Sequence, residues 1–191
     1  MKIYSRRGDD GTTGLLYGGR VRKDAPAPTA CGDVDEAQAA LGQARATTDK
    51  GSELDGLLVR LERDLWVLMA EVATAPEHHD RLVAGQTLVT PRMVDALEPI
   101  IDDLTGRFDQ PTEFVLPGQT TTAAALDLAR TVVRRAERSA LAVATDGSSV
   151  VPYLNRLSDL LWTMARWQEG QALPARRHAS HPETSHPESQ E

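Results

Sequence analysis

The sequence predicts an all-α fold, and three features of its 191 residues point to that class. Aromatic residues make up only 4% of the chain, so the core must be built from aliphatic side chains, which suit helices better than sandwiches. Several segments repeat apolar residues at the three-and-four spacing of an amphipathic helix. Short segments rich in Gly and Pro separate these repeats, as in a helical bundle. The sequence therefore predicts a bundle of five helices.

The chain opens on the Gly-rich stretch SRRGDDGTTG, residues 5–14, which has too many turn-forming residues for a helix and too much charge for a core strand. Two interpretations are open. The stretch is either a solvated turn or an anion cradle, in which glycines let backbone N–H groups approach a phosphate. It is not a Walker P-loop, because the G-x-x-x-x-G-K-[ST] pattern is absent. Residues 18–32 follow as a predicted extended loop, since Pro26 and Pro28 disfavour helix.

Capping residues mark the starts of the first three predicted helices. Asp33 resembles an N-cap, with Glu36 completing a capping box, and predicts a first helix over about 34–46. Ser52 begins a second helix with a regular leucine stripe. Thr90, followed by proline, begins a third helix whose apolar face runs as far as Phe108.

The last third of the chain predicts a loop, two more helices and a tail. Residues 109–119 contain two prolines and a glycine around a short apolar cluster. A fourth helix is expected over about 121–145 and a fifth over 152–168. Residues 170–191 lose all periodicity and predict a disordered tail, whose three histidines fit no standard metal site.

Charge is unevenly distributed along the chain. The net charge of −7 argues against general nucleic-acid binding, yet residues 2–24 and 130–138 each carry a net +3. Two small basic regions in an acidic protein favour a compact anionic ligand. No run of about 20 apolar residues is present, and the first residues do not resemble a signal peptide, so we expect a cytoplasmic location without a membrane partner.

The fourth predicted helix carries a row of arginines at four-residue intervals, Arg130, Arg134 and Arg138. Asp127 and Glu137 lie three or four positions from members of the row. The row is either a salt-bridged outer face or a binding site for a polyanion. Adjacent like charges repel at this spacing, and two acids offset only part of that repulsion, which favours the polyanion.

Two further features outside the row are candidates for ligand contact. Asn155 and Asp159 share one side of the fifth helix, where they contact a nucleotide or form plain surface. Phe114 stands among prolines and a glycine, where an exposed aromatic is costly. It either plugs the end of the core or forms one wall of a ligand pocket.

Four segments resemble the PduO-type ATP:cob(I)alamin adenosyltransferases in content and in order. They are KIYSRRGDDGTTGLLYGGRVRKD, CGDVDEAQAALG, EFVLPGQTTTAAALDLARTVVRRAER and YLNRLSDLLWTMAR, and they fall within residues 2–166. The resemblance implies a five-helix bundle, ferritin-like and up-down with an extra helix, that assembles as a homotrimer with an active site at each subunit interface. It implies an adenosyltransferase domain at 1–169, with a nucleotide-binding loop at 1–30 and a bundle at 31–169, and a flexible tail at 170–191.

The resemblance also assigns residues to ATP and to cobalamin. The ATP site would comprise Ser5, Arg6, Arg7, Gly8, Asp9, Gly11, Thr12, Thr13, Gly14, Lys23, Arg134, Arg135, Glu137, Arg138 and Asn155. Phe114 would pack against the lower face of the corrin ring, with Asp159 beside it. Asp35 and Arg130 would pair across the interface, and with Arg134 and Glu137 they make up the implied catalytic group.

The implied chemistry joins the adenosyl group of ATP to cobalt. An apolar wall at Phe114 would keep cobalt four-coordinate and ease its reduction by a flavoprotein donor. Cobalt(I) would attack the 5′ carbon of ATP, and triphosphate would leave with Mg²⁺ held mainly by the phosphates. Adenosylcobalamin would then serve a mutase that depends on it.

The sequence departs from the family pattern at four positions. Ser5 and Arg6 stand where the family usually has Thr and Lys, Gln119 replaces a usual glycine, and Asp127 replaces a usual histidine. Two alternatives to the enzyme remain. One is an ATP-binding sensor or cofactor-delivery module without turnover, and the other is a structural trimer whose arginines only make salt bridges.

Overall fold

The structure, a computed structural model, describes residues 3–176. Within that range the six α-helices are α1 Pro26–Arg45, α2 Glu53–Val72, α3 Pro91–Asp95, α4 Glu98–Thr105, α5 Thr121–Ala140 and α6 Val150–Glu169. A 3-10 helix spans Pro76–Arg81. The strands β1 Thr12–Gly14 and β2 Arg20–Arg22 form one antiparallel pair, and β3 Val115–Leu116 and β4 Leu173–Pro174 form another. The prediction of a mainly helical fold is confirmed.

The long helix α5 lies at the centre of the bundle, packed between α1 and α6. Helix α2 packs on α1, and α4 packs on α6. The buried hydrophobic side chains are almost all aliphatic, as the small number of aromatic residues predicted, and Tyr153 is the largest fully buried side chain. Among the residues described, no helix has both the length and the apolar character needed to cross a membrane.

Helix α1 begins eight residues earlier than the sequence predicted. Ala25 is the N-cap, and Pro26 and Pro28 lie in the first turn, where the backbone N–H groups have no partner within the helix and proline is tolerated. The predicted extended loop over 18–32 is therefore wrong beyond residue 25. The predicted capping box is wrong as well, because Asp33 lies inside α1 and accepts a hydrogen bond from Ser139 of α5.

The third predicted helix is broken into α3 and α4. Thr90 caps α3 as predicted, with its hydroxyl accepting from the Met93 N–H. Pro99 in the first turn of α4 has no N–H to donate to the preceding turn, so the two helices are separate. The apolar periodicity continues through the break, so the periodicity alone predicted one uninterrupted helix.

The fourth and fifth predicted helices have different ends from those expected. Helix α5 ends at Ala140, and irregular turns follow it up to Gly147, whose φ of +80° is left-handed. Helix α6 begins at Val150, because Pro152 is again accommodated in a first turn. Ser52 caps α2 as predicted.

The start of the predicted tail is ordered by strand pairing. Residues 173–174 form β4 against β3, and the Ala175 N–H donates to the Phe114 carbonyl oxygen at 2.7 Å. The predicted disorder is therefore wrong for these residues. The remainder of the tail, residues 177–191 with its three histidines, lies outside the described residues.

A buried hydrogen bond ties α6 to α2 inside the bundle. The Tyr153 hydroxyl donates to Asp64 Oδ2 at 2.8 Å. Burial raises the pKa of the Asp64 carboxyl, and the bond from Tyr153 partly opposes that rise. The carboxylate thus depends on Tyr153 for compensation of its lost hydration.

We expect Tyr153→Phe to lower the free energy of unfolding by about 1–3 kcal/mol, because it leaves Asp64 without its donor. The pKa of Asp64 is raised in the folded state, so protonated Asp64 contributes to the free energy of unfolding at low pH. That contribution is lost as the pH rises through the folded-state pKa and the carboxyl ionises. The deficit should therefore be larger near about pH 7 than near about pH 4 in urea titrations. Tyr17→Phe, at a half-buried hairpin position, is the control. Equal deficits for both variants would contradict the role given to the buried bond.

Candidate functional site

The Gly-rich stretch forms a tight turn that leads into β1. The Thr12 N–H and hydroxyl both donate to Asp10 Oδ1, at 2.9 and 2.8 Å. These bonds, with the nearby Arg20 guanidinium, hold the pKa of the Asp10 carboxyl below its usual range. Gly11 adopts a φ of +81°, a left-handed conformation that favours glycine. The stretch has the turn geometry of the first interpretation, and the second interpretation, an anion cradle, stays a prediction.

Two cationic side chains lie against this turn. They are Arg20 of β2 and Lys23, which follows β2. Arg20 Nη2 donates to the Arg7 carbonyl oxygen at 2.7 Å and to Thr12 Oγ1 at 2.5 Å. A Cβ added at Gly8 would lie 3.1 Å from Lys23 Nζ, so the lysine ammonium covers that glycine. In the sequence, Arg20 contributed only to the net charge of residues 2–24 and was not a predicted site residue. Its register opposite Gly14 in the hairpin is the signal that would have revealed the role.

The hairpin docks at the C-terminal end of α2. The Leu16 N–H donates to the Ala73 carbonyl oxygen at 2.8 Å, and Arg81 stacks over the Tyr17 ring with its guanidinium 4.4 Å from the centroid. Helix α1 runs antiparallel to both α2 and α5, so this end of the bundle also carries the C-terminal half of α5. The Gly-rich turn and the arginine row thus lie toward the same end.

The arginines of α5 differ in their partners. Arg135 pairs with Asp33 at 3.4 Å and with Glu36, both on α1, and the hydrogen bond with Glu36 raises its pKa. Arg135 therefore makes salt bridges within the subunit. Within residues 3–176, the ion pairs of α5 involve Arg130 and Arg135 but not Arg134 or Arg138.

The structure brings together some of the other predicted site residues and separates others. Asn155 Nδ2 donates to Glu137 Oε1 at 3.0 Å, so these two predicted ATP contacts meet between α6 and α5. Asp159 instead accepts from Arg156 at 2.9 Å and is exposed. Asp35 is exposed on α1, and no ion pair with Arg130 is found within the described part of the subunit.

A cleft of about 810 Å³ lies between the 111–117 loop, α5, α6 and the residues after β4. The Phe114 side chain is 91% exposed in it, so Phe114 is a wall of the cleft and the core-plug alternative is wrong. Trp162 adds a second aromatic surface. Asp127, Arg130 and Arg166 form a charged side of the same cleft, whereas Asp159 is not among its lining residues.

The charged side of the cleft contains a residue that sequence reasoning missed. Arg166 is 2% exposed and pairs with Asp127 at 2.5 Å and with Glu169 at 2.8 Å. Burial raises the pKa of the Glu169 carboxyl, an effect that Arg166 opposes. The sequence carried no signal for this role, because Arg166 lies two residues after Met164 and so on a different side of α6 from the predicted leucine stripe. Among residues 3–176, no group of three or more metal-ligating side chains is found.

A family model described as Cobalamin adenosyltransferase matches residues 3–168 of this chain. The chain belongs to that family. It is 40% identical over 174 residues to the corrinoid adenosyltransferase of Mycobacterium tuberculosis, with 86% of this chain and 87% of that protein covered. It is 37% identical over 179 residues to the corrinoid adenosyltransferase PduO of Salmonella typhimurium, covering 92% of this chain and 52% of the longer protein.

Solved structures of this family share the fold. A variant of the PduO-type ATP:corrinoid adenosyltransferase of Lactobacillus reuteri, complexed with cobalamin and ATP, superposes with a TM-score of 0.82 at 28% identity. The match covers 92% of this chain and 97% of that one. A second variant, complexed with ATP, gives 0.80 at 27% identity and covers 91% and 100%. The family and the enzyme class predicted from the sequence, a corrinoid adenosyltransferase, are confirmed.

Proposed function

We propose that this adenosyltransferase moves the 5′-deoxyadenosyl group of ATP to cob(I)alamin, giving adenosylcobalamin and triphosphate. The observation that carries the proposal is the combination of two features in one subunit. A braced Gly-rich turn and an arginine-bearing helix lie toward one end of the bundle, and an apolar cleft with an exposed aromatic wall opens along that same helix. A nucleotide needs the first feature and a large flat ring needs the second.

The nucleotide part of the site uses cations that make no ion pair within residues 3–176. Arg134 and Arg138 project from an exposed face of α5, and Lys23 covers the turn at Gly8. Guanidinium groups bind phosphate oxygens in pairs, which suits a triphosphate. Glu137 and Asn155, already bonded to each other, orient the other end of the nucleotide. Mg²⁺ is held mainly by phosphate oxygens.

The complete site requires a second subunit, and we infer a homotrimer with one site at each interface. Asp35 is an exposed acid on α1 without an ion pair in its own described subunit, whereas Arg130 uses its Nε for Asp127 and keeps its terminal nitrogens available. Opposite charges placed in this way favour pairing between neighbouring subunits. The pair of Asp35 and Arg130 would close one side of the cleft. The boundary of the catalytic domain at residue 169 stays a prediction.

The cleft controls cobalt coordination and Arg134 controls the leaving group. Phe114 excludes water and the corrinoid's own base from the lower face, so cobalt(II) becomes four-coordinate and accepts an electron from a flavoprotein donor. Cobalt(I) then attacks the 5′ carbon, the carbon–oxygen bond to triphosphate breaks, and its electron pair leaves with the phosphate oxygen. Cationic donors stabilise the charge that develops there. A mutase that uses adenosylcobalamin would consume the product.

Anaerobic mixing of the protein with ATP and chemically reduced cobalamin tests the proposal directly. Absorbance should change to that of adenosylcobalamin as the carbon–cobalt bond forms, with one triphosphate released per product. Tight binding of ATP and cobalamin with no product would instead support a sensor or cofactor-delivery module. Failure to bind ATP would leave only a structural trimer.

We expect Arg20→Ala to weaken ATP binding by about tenfold, because Arg20 holds the Gly-rich turn through Arg7 and Thr12 before the nucleotide arrives. Isothermal titration calorimetry gives the dissociation constant. Arg22→Ala is the matched control, since Arg22 lies on the same strand and bonds Asp24 two residues away. The bracing role would be refuted by equal ATP affinities for the two variants.

A further inference from the structure

A chain of four charged side chains runs from the interior of α6 to the arginine row of α5. Glu169 pairs with Arg166 through Nε at 2.8 Å, and Arg166 Nη2 contacts Asp127 Oδ2 at 2.5 Å. Asp127 Oδ1 then accepts from Arg130 Nε at 3.2 Å. Asp127, Glu169 and Arg166 are all buried, whereas Arg130 is partly exposed. These four side chains therefore connect a buried interior to the partly exposed Arg130.

The buried half of this series of charged side chains is fixed by several contacts of Arg166. Arg166 is bonded by both acids, and its guanidinium lies 5.6 Å from the centre of the Trp162 ring. A carboxylate accepts from two guanidinium groups at once, and Asp127 does so with one oxygen for each. Arg166 therefore fixes the position of the Asp127 carboxylate, and Asp127 in turn directs Arg130.

The outer half of this series, Asp127 and Arg130, lies at the cleft and at the proposed interface. Bonding through Nε orients the guanidinium plane of Arg130 and leaves its terminal nitrogens unused by Asp127. Arg130, Asp127 and Arg166 all line the cleft that Phe114 borders. A ligand in this cleft thus meets a guanidinium group whose direction is set from behind.

We propose that Asp127 is a positioning residue that sets the orientation of Arg130, and through it the affinity of the cleft for a corrinoid. This inference rests on the proposed function. It assigns no contact between Asp127 and the substrate. Without the Asp127 charge, Arg130 samples other rotamers, and part of the binding free energy is spent on ordering it.

A double-mutant cycle between Asp127→Asn and Arg130→Ala separates positioning from simple support of the fold. The dissociation constant of cob(II)alamin in the presence of ATP is measured by absorbance titration of the full-length protein. We expect Asp127→Asn to weaken binding about tenfold in the native background and less than about twofold in the Arg130→Ala background. ATP affinity should not change. Asp103→Asn, which removes an acid of α4 that pairs with Arg107, is the control and should bind corrinoid normally.

Equal losses in both backgrounds would overturn the inference, since Asp127 would then act without Arg130. An unchanged dissociation constant for Asp127→Asn would overturn it as well. If Asp127→Asn does not fold, Asp127→Glu goes through the same cycle, because the added methylene displaces the carboxylate while keeping its charge. Equal effects of Asp127→Glu in both backgrounds, including no effect in either, would overturn the inference.

The same titration distinguishes this inference from the proposed function. A native protein that binds no corrinoid and forms no adenosylcobalamin refutes the function, and the inference falls with it. A native protein that turns over normally but shows no dependence of Asp127 on Arg130 refutes the inference alone.

Discussion

Replacing Arg134 with alanine is expected to lower kcat for adenosyl transfer by at least about 100-fold while the bundle stays folded. Arg134 is exposed on α5, and the α5 arginines that form ion pairs in the described subunit are Arg130 and Arg135. Its charge is therefore available to the leaving triphosphate, where negative charge develops in the transition state. Anaerobic single-turnover absorbance with saturating ATP and cob(I)alamin measures the chemical step.

Arg63→Ala is the matched control for Arg134→Ala. Arg63 is an exposed arginine on α2 and does not line the Phe114 cleft, so its loss removes the same group at another place. Circular dichroism should show the same helicity for both variants and the native protein. Near-native turnover by folded Arg134→Ala would remove the phosphate role that we give to this residue.

Replacing Phe114 with alanine is expected to weaken the reduction of bound cobalt(II) by more than about tenfold while leaving the ATP dissociation constant unchanged. The Phe114 ring stands 91% exposed in the cleft, so its removal opens the cleft without disturbing a packed core. Water or the corrinoid's own base then reaches the lower face and restores a fifth ligand. The spectrum of bound cob(II)alamin in the presence of ATP reports that ligand directly.

An aromatic outside the cleft provides the comparison for Phe114→Ala. Trp66 on α2 is 67% exposed and does not line the cleft, so Trp66→Ala should keep the native cob(II)alamin spectrum. A native spectrum for Phe114→Ala itself would show that another group excludes the fifth ligand. The retained ATP affinity is an internal check, since the Gly-rich turn is not part of the cleft.

The helical fold and its aliphatic core followed from composition and periodicity because those signals depend on burial, which is averaged over many residues. Helix ends depend on single residues, and here prolines were misjudged. Pro26 and Pro28 were expected to exclude helix although both lie in the first turn of α1, and Pro99 was overlooked although it separates α3 from α4. Proline in a first turn is compatible with the helix that it begins and incompatible with continuation of a helix before it.

The residues that the resemblance assigned to the site stay predictions, whereas residues whose roles depend on tertiary contacts could not be found from the sequence. Phe114 was given two interpretations, and its exposure chose between them. Arg20 and Arg166 were missed because their roles come from partners across a hairpin and across two helices. Arg135 was assigned to the nucleotide, yet within the subunit it pairs with acids of α1, which lie about 100 residues earlier in the chain.

The docking of the hairpin on α2 gives the two parts of the proposed nucleotide site very different local stabilities. The hairpin is attached through single bonds such as Leu16 to Ala73, whereas α5 is packed on both sides in the centre of the bundle. Segments with few buried contacts open at a small fraction of the free energy of global unfolding. Backbone amides of β1 and β2 should thus exchange with solvent much faster than those of α5. The proposed site thus combines a rigid cationic helix with a hairpin that is expected to open and reclose many times before the bundle unfolds once.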